Sequence, residues 1–201
     1  MRIVYVFPHP DDESYGPARA ISKQRREGHE VYLLTLTRGG ATKQRFKFGY
    51  SIEEMGEVRY QEMLDVAQVL DLTGVTVLDL PDSGLDEMDP REIEAAIAAH
   101  IESVQPDVVV TYAVHGISGF FDHLVAHAVV KRAYVELRER APYLKRLAFY
   151  TLTEEEAAAF DWVHLTGSKP EEIDVVAPLD EVDLEAMRRA LDCYVTYAAT
   201  V

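Results

Sequence analysis

The feature that most constrains this chain is a regular alternation between short apolar runs and longer segments of helical periodicity. The runs are rich in β-branched residues and are mostly followed by Pro or Gly, which is typical of buried strands. The predicted strands are 3–7, 31–37, 75–80, 107–114, 147–152 and 173–177. The predicted helices are 17–26, 52–70, 93–104, 122–140 and 180–197. Such alternation indicates a parallel sheet covered by helices on both faces, a three-layer α/β sandwich.

The length of 201 residues fits a single domain, 1–201, built on a mainly parallel, Rossmann-like sheet. We expect residues 1–130 to carry the site motifs and residues 131–201 to complete the sheet and the outer helices. In open α/β sheets, ligands bind beyond the carboxyl ends of the strands. The loops of interest are therefore those after Phe7, Thr37, Leu80 and Val114.

The composition narrows the classes of partner. The chain has 35 acidic and 20 basic residues, a formal net charge of -15, which disfavours duplex nucleic acid and anionic membrane surfaces. Its one cysteine, Cys193, cannot form an internal disulfide, which favours a reducing compartment. The apolar run 3–7 is too short for a secretory signal, and no run reaches the ~20 residues of a membrane span. We predict a cytoplasmic protein; its acidic, tyrosine-containing surface is compatible with a homo-oligomer.

The strongest motif is His-Pro-Asp-Asp-Glu at residues 9–13, directly after the first predicted strand. His9 and Asp12 lie three residues apart and offer an imidazole and a carboxylate, both good Zn²⁺ ligands. Asp11 would lie beside the metal, where it can take a proton from bound water. The alternative is that the acidic residues cap a helix, which leaves His9 unexplained. The G-x-G-x-x-G pattern of a dinucleotide loop is absent here.

A second group of polar residues, Asp122, His123 and His127, begins the helix after the fourth strand. Histidines four residues apart share one face of a helix, but such a pair alone is a weak signal. Its position at a strand's carboxyl end places it near the first motif. The residues by themselves do not choose between His123, His127 and His115 as a further ligand.

Together these segments resemble the PIG-L/LmbE-like zinc N-deacetylases. Residues 9–13 match the family's HPDDE signature, and Asp122-His123 matches the second half of its H-x-D-H motif. Further matches occur in the family's order at Arg59, at Pro81-Asp82-Ser83-Gly84 and at residues 106–111. The likeness covers roughly residues 1–130, whereas the last third of the chain matches much less clearly.

The resemblance implies roles for particular residues. His9, Asp12 and His123 would bind one Zn²⁺ per chain, although these ligands do not distinguish Zn²⁺ from Fe²⁺. Asp11 would be the general base, and Asp122 would support the site electrostatically and through a hydrogen bond.

The resemblance also implies that Arg59 and Asp82 hold the sugar substrate. The loop 38–50, which contains four basic residues and no acidic one, is predicted to attract an anionic substrate, with Arg38 among its contacts. A mobile, solvated loop is the alternative interpretation.

One position departs from the family pattern. Phe120 stands where the family has the first histidine of H-x-D-H, a residue thought to act as general acid or to stabilise the oxyanion. Phenylalanine can do neither. His115, in a glycine-containing loop, is predicted to take over this role, and His127 is the other candidate.

The sequence thus predicts a metal-dependent hydrolase that removes the acetyl group from an N-acetylglucosaminyl conjugate through metal-activated water. A conjugate with a negative charge, such as N-acetylglucosaminyl malate of the bacillithiol pathway, suits the basic loop. Two alternatives stay open. Phe120 is compatible with a non-catalytic metal- or sugar-binding protein, and two histidines with one carboxylate also suit a non-haem Fe(II) oxygenase.

Overall fold

The computed structural model describes residues 1–160 and 163–198. Its strands are β1 (Arg2–Phe7), β2 (Glu30–Thr37), β3 (Gly74–Leu80), β4 (Val108–Tyr112) and β5 (Arg146–Tyr150). Its α-helices are α1 (Asp12–Tyr15), α2 (Ala18–Arg26), α3 (Arg45–Phe48), α4 (Ile52–Val69), α5 (Pro90–Val104), α6 (Phe121–Arg138), α7 (Glu154–Ala158) and α8 (Glu181–Asp192). None of the helices in these two stretches is long and apolar enough to cross a membrane.

The five strands form one sheet in the order β3-β2-β1-β4-β5, and every neighbouring pair is parallel. Apolar side chains of β1 point alternately to its two faces, as the period of a strand requires. Val4 and Val6 pack into a core with residues of α5 and α6, whereas Tyr5 and Phe7 pack into a second core with residues of α2, α4 and α8. The predicted three-layer, parallel α/β sandwich is confirmed.

The strand order places the functional loops. The chain moves outward from β1 through β2 to β3 and then returns to the other side of β1 with β4. The order therefore reverses between β1 and β4, and such a reversal leaves a crevice beyond the carboxyl ends of the two strands. The two motifs identified from the sequence lie in the loop after β1 with α1, and at the start of α6, the helix that follows β4.

Near the end of the chain, one predicted strand is wrong and one predicted helix is too long. Residues 173–177 form no strand, and the Val175 side chain is 82% exposed. An apolar run becomes a strand only where a neighbouring strand pairs with it, so the run alone is insufficient.

The last predicted helix, 180–197, ends early at Asp192, and a short 3₁₀ turn covers Val195–Tyr197. Tyr194 and Thr196 are both buried. Residues two apart point to nearly opposite sides of an α-helix, so burying both requires the chain to leave that helix.

Candidate functional site

The loop after β1 turns sharply at Asp11, which has a left-handed backbone (φ 86°, ψ -25°) and precedes α1. The backbone N–H of His9 donates to the Asp12 carboxylate at 2.9 Å, which closes the loop on itself. The Asp11 side chain makes no capping bond to α1. The carboxylates of Asp11 and Asp12 therefore bond to other residues around the crevice and do not cap the short helix α1.

The structure brings His9, Asp12 and His123 together, with one ligand atom from each lying within 4.8 Å of the others. His9 Nδ1 is 3.3 Å from His123 Nε2, and His123 Nε2 is 3.3 Å from Asp12 Oδ1. The Asp12 and His123 side chains are buried, and His9 is partly exposed. His9 comes from the loop after β1, Asp12 from the first turn of α1, and His123 from the first turn of α6, which follows β4.

His123 turns its Nε2 toward this group. Its Nδ1 lies 2.9 Å from the Gly116 carbonyl oxygen, which can only accept, so in the neutral ring the proton is on Nδ1 and the Nε2 lone pair is free. Gly116 has φ 62°, and a Cβ there would lie 2.9 Å from the Cβ of His123. Glycine thus permits the close approach that fixes the imidazole.

His9 is oriented by carboxylates on its other side. Its Nε2 lies 3.0 Å from Asp122 Oδ2 and 3.3 Å from Asp82 Oδ1, so Nε2 carries a proton and Nδ1 faces Asp12. Burial by itself lowers the pKa of His9, but the hydrogen bonds to Asp122 and Asp82 outweigh it and raise that pKa to about 10. A metal ion on Nδ1 would have to displace a proton, as is general for histidine ligands.

A tyrosine not identified from the sequence completes the surroundings of these ligands. Tyr112 Oη donates to Asp12 Oδ1 at 2.7 Å, and the Tyr112 ring stacks on His123 with centroids 4.3 Å apart. Two imidazole nitrogens and a carboxylate, each fixed by a second polar partner, are the donor set of a divalent transition metal. The residues present therefore fit a metal ion. Tyr112 lies at the carboxyl end of β4, and that placement was a usable signal.

Asp11 lies beside the ligand group and is ion-paired to Arg59, with Asp11 Oδ2 2.7 Å from Arg59 Nη2. Burial raises the pKa of Asp11 to about 6, against the opposing effect of the Arg59 charge. Arg59 is only 2% exposed and also donates to the carbonyl oxygens of Pro10 and Gly39. The arginine predicted to hold a sugar is thus placed against the predicted base.

The other two predicted substrate residues also have protein partners. Asp82 accepts a hydrogen bond from the backbone N–H of Ala41 at 2.6 Å while its second oxygen faces His9. Arg38 is paired with Glu57 at 2.8 Å and lies 3.4 Å from Asp79. The Asp122 carboxylate, for its part, accepts from the backbone N–H groups at 83 and 85.

The structure does not bring His115 or His127 into the ligand group. His115 Nδ1 accepts from the Ile117 backbone N–H, and its Nε2 lies 3.4 Å from the hydroxyls of Thr151 and Ser168. His127 Nδ1 donates to the Tyr112 carbonyl oxygen at 2.9 Å.

Phe120 occupies the rim of the site instead. Its ring is 63% exposed and stands edge-on to the His123 ring, with centroids 5.6 Å apart. An apolar surface therefore borders the ligand group at the position where the family has a histidine.

Comparison with known proteins agrees with this geometry. Residues 4–134 match the family described as PIG-L, GlcNAc-PI de-N-acetylase. A 1D-myo-inositol 2-acetamido-2-deoxy-alpha-D-glucopyranoside deacetylase of Kineococcus radiotolerans is 32% identical in an alignment of 161 residues that covers 67% of this chain and 45% of that protein. A probable N-acetyl-alpha-D-glucosaminyl L-malate deacetylase 2 of Bacillus subtilis is 28% identical over 142 residues, with 70% and 64% covered.

Among solved structures, the zinc-inhibited form of a teicoplanin deacetylase superposes with a TM-score of 0.74 at 15% identity, covering 100% of this chain and 86% of that one. This likeness concerns the fold. The chain spans about half the length of several curated relatives that it matches. With the family signature and the matched region taken together, this chain belongs to the PIG-L family of GlcNAc-PI de-N-acetylases.

Proposed function

We propose that the protein is a zinc-dependent N-deacetylase that hydrolyses the acetamide of an N-acetylglucosaminyl conjugate. The observation that carries the proposal is the convergence of His9, Asp12 and His123, with the Asp11 carboxylate beside them. Each imidazole turns one nitrogen toward Asp12. The other nitrogen of each ring donates a hydrogen bond, to Asp122 from His9 and to the Gly116 carbonyl oxygen from His123. This arrangement suits a catalytic metal site with open coordination positions.

His9, Asp12 and His123 would hold the ion, and Zn²⁺ bound there supplies Lewis acidity and an activated water. The Asp11 carboxylate accepts the proton of the attacking water and returns it to the leaving amine. Arg59 holds Asp11 by a 2.7 Å ion pair and keeps the carboxylate from turning away. The amide is thereby converted to acetate and the free amine.

Asp122 and Asp82 act on the ligand His9 rather than on the substrate. Both accept from its Nε2 side, and a carboxylate in this position fixes the tautomer and raises the basicity of a ligating imidazole. We keep Asp122 as a supporting residue of the site. The side chains of Asp82, Arg59 and Arg38 already bond to other residues of the protein. They can therefore contact a substrate only through hydrogen-bond donors or acceptors that these partners do not use.

We propose that His115 stabilises the carbonyl oxygen of the substrate. It lies in the 113–120 loop, whose Gly116 carbonyl fixes His123. To act, its ring must leave Thr151 and Ser168. Phe120 would then exclude water from the same side of the site.

The substrate class is supported by the names of the relatives, which have in common an N-acetylated glucosamine joined to different groups. The basic side chains of Lys43, Arg45 and Lys47 favour a conjugate with a carboxylate or phosphate. N-acetylglucosaminyl malate is therefore the first substrate to test. The free thiol of Cys193 supports a reducing, cytoplasmic location.

The test combines metal content per chain with release of acetate from N-acetylglucosaminyl malate. We expect about one zinc in the wild type, and loss of zinc and of turnover in Asp12→Ala and His123→Ala, because a ligand is removed in each. His29→Ala is the matched control, since His29 lies on the surface beside Glu27. Sugar binding without acetate release would favour a non-catalytic protein. Iron retention with turnover dependent on oxygen and 2-oxoglutarate would favour the oxygenase.

A further inference from the structure

The segment that follows α8, residues 193–198, returns to the predicted base from the far end of the sequence. It lies outside the family match at 4–134. Three of its side chains, Tyr194, Thr196 and Tyr197, bond to residues of the β1 loop, of α4 or of the loop after β2. The segment is thus attached on the Asp11 side of the site.

Tyr194 contacts the backbone of the predicted base itself. Its Oη donates to the Glu13 carboxylate at 2.8 Å, since a carboxylate in this pair can only accept. The same Oη accepts the backbone N–H of Asp11 at 2.8 Å. Tyr194 is 2% exposed and is among the largest fully buried side chains. The hydroxyl is therefore held between two fixed partners with water excluded.

The contact falls where the backbone needs support. Asp11 has φ 86°, a left-handed conformation that residues other than glycine adopt only at a cost. This conformation turns the Asp11 side chain toward Arg59. A donor–acceptor bond at the Asp11 N–H resists relaxation to the ordinary right-handed region.

The same segment also supports Arg59, the ion-pair partner of Asp11. The Tyr197 ring lies under the Arg59 guanidinium at 4.6 Å, and Tyr197 Oη is 2.8 Å from Thr42 Oγ1. Thr196 is anchored to Glu62 of α4 through its backbone N–H at 2.8 Å and its hydroxyl at 2.7 Å. Glu62 and Arg59 are three residues apart on α4 and so share a face.

We infer that Tyr194 is a positioning residue for deacetylation, and that residues 193–198 hold Asp11 and Arg59 in their working arrangement. The inference rests on the proposed function. It assigns to the Tyr194 hydroxyl the task of fixing the backbone of the base, without contact to the metal ligands His9 and His123 or to substrate.

The test is Tyr194→Phe, which removes one oxygen atom and leaves the ring. We expect unchanged zinc content, a KM within about twofold of wild type and a kcat lower by about 100-fold, since small misplacement of a catalytic group costs that much. Tyr32→Phe is the matched control, because it removes a tyrosine–glutamate hydrogen bond of 3.0 Å on β2, outside the site. Its kcat should equal that of wild type.

Rates are compared per folded, zinc-loaded chain, with folding checked by circular dichroism. If Tyr194→Phe does not fold, Thr196→Val loosens the same segment and should lower kcat by about threefold or more at constant KM. Unchanged kcat in the folded variants, or a loss confined to KM or zinc content, overturns the inference while the deacetylase proposal stands. A zinc-loaded wild type that releases no acetate rejects both.

Discussion

The two sides of the His-Pro-Asp-Asp-Glu loop are built differently. On one side, His9 and Asp12 meet His123 through two loops that leave adjacent strands, β1 and β4. On the other side, Asp11 is held by Arg59 of α4 and by Tyr194, which lies 183 residues away along the chain. The ligand side thus follows from the topology of the sheet, whereas the base side depends on side chains from α4 and from the segment after α8.

This difference predicts that the two sides can be disabled separately. Asp11→Asn should keep zinc at the wild-type level and lower kcat by about 10³-fold, because an amide cannot accept the proton of the attacking water. Metal analysis and steady-state acetate release on the same sample check it. Full activity in this variant would remove Asp11 as the base.

A smaller effect is expected on the ligand side from Asp122→Asn. Losing the carboxylate behind His9 Nε2 should weaken zinc affinity by about 10- to 100-fold, with little change in kcat at saturating zinc. Competition with a chelator measures the affinity. Asp79→Asn, which alters an exposed carboxylate near Arg38, is the control. Equal affinities in both variants would show that Asp122 does not support the ligand.

Replacing Phe120 by His tests the departure from the family pattern. A histidine beside His123 would offer an acid or a donor for the carbonyl oxygen, and we expect kcat to rise by about tenfold. Phe120→Leu keeps the position apolar and should leave kcat near the wild-type value. An unchanged kcat in both variants would favour His115 as the residue that already serves as the acid or donor for the carbonyl oxygen.

Two glycines near the proposed ligands allow the cost of a positive φ to be measured apart from the cost of a steric contact. Gly116 and Gly119 have φ of 62° and 72°, but only at Gly116 would a Cβ meet His123, at 2.9 Å. Gly119→Ala should destabilise by about 1 kcal/mol from the positive φ alone. Gly116→Ala should cost about 2 kcal/mol more and weaken zinc binding, as thermal melts with and without zinc would show. Equal losses of stability in the two variants would mean that the contact between a Cβ at residue 116 and His123 adds no destabilisation.

The smallest effect concerns the basic loop. Changing Lys43 and Lys47 to Gln should raise KM for the malate conjugate by about threefold at low salt and leave KM for a neutral N-acetyl sugar unchanged. Equal changes for both substrates would remove the argument for an anionic conjugate.

The contrast also explains what the sequence could predict. His9, Asp12 and His123 follow predicted strands, and the rule that strand ends share one edge was enough to bring them together. Spacing alone could not choose His123 over His127, because that choice depends on the Gly116 carbonyl and the Tyr112 ring.

Long-range contacts that do not follow from the ends of predicted strands were beyond the reach of the sequence. Arg59 lies in a helix with ordinary periodicity, and nothing in that pattern points to Asp11. Tyr194 belongs to residues 193–197, the part of the predicted helix 180–197 that is not α-helical. The fold was predictable because local periodicity specifies it. The conformation of residues 193–197 was not predictable, since it is set by burial against distant residues.

The separation of the two sides has a consequence for the order of assembly during synthesis. All three proposed metal ligands lie within the first 123 residues, whereas the hydroxyl that accepts the Asp11 backbone N–H belongs to residue 194. The N-terminal part of a chain is synthesised first, and a domain generally folds as a unit. The proposed ligand positions are therefore synthesised well before the segment that supports the proposed base, and hydrolysis by the proposed mechanism has to wait until residues 193–198 are made and packed against Asp11 and Arg59.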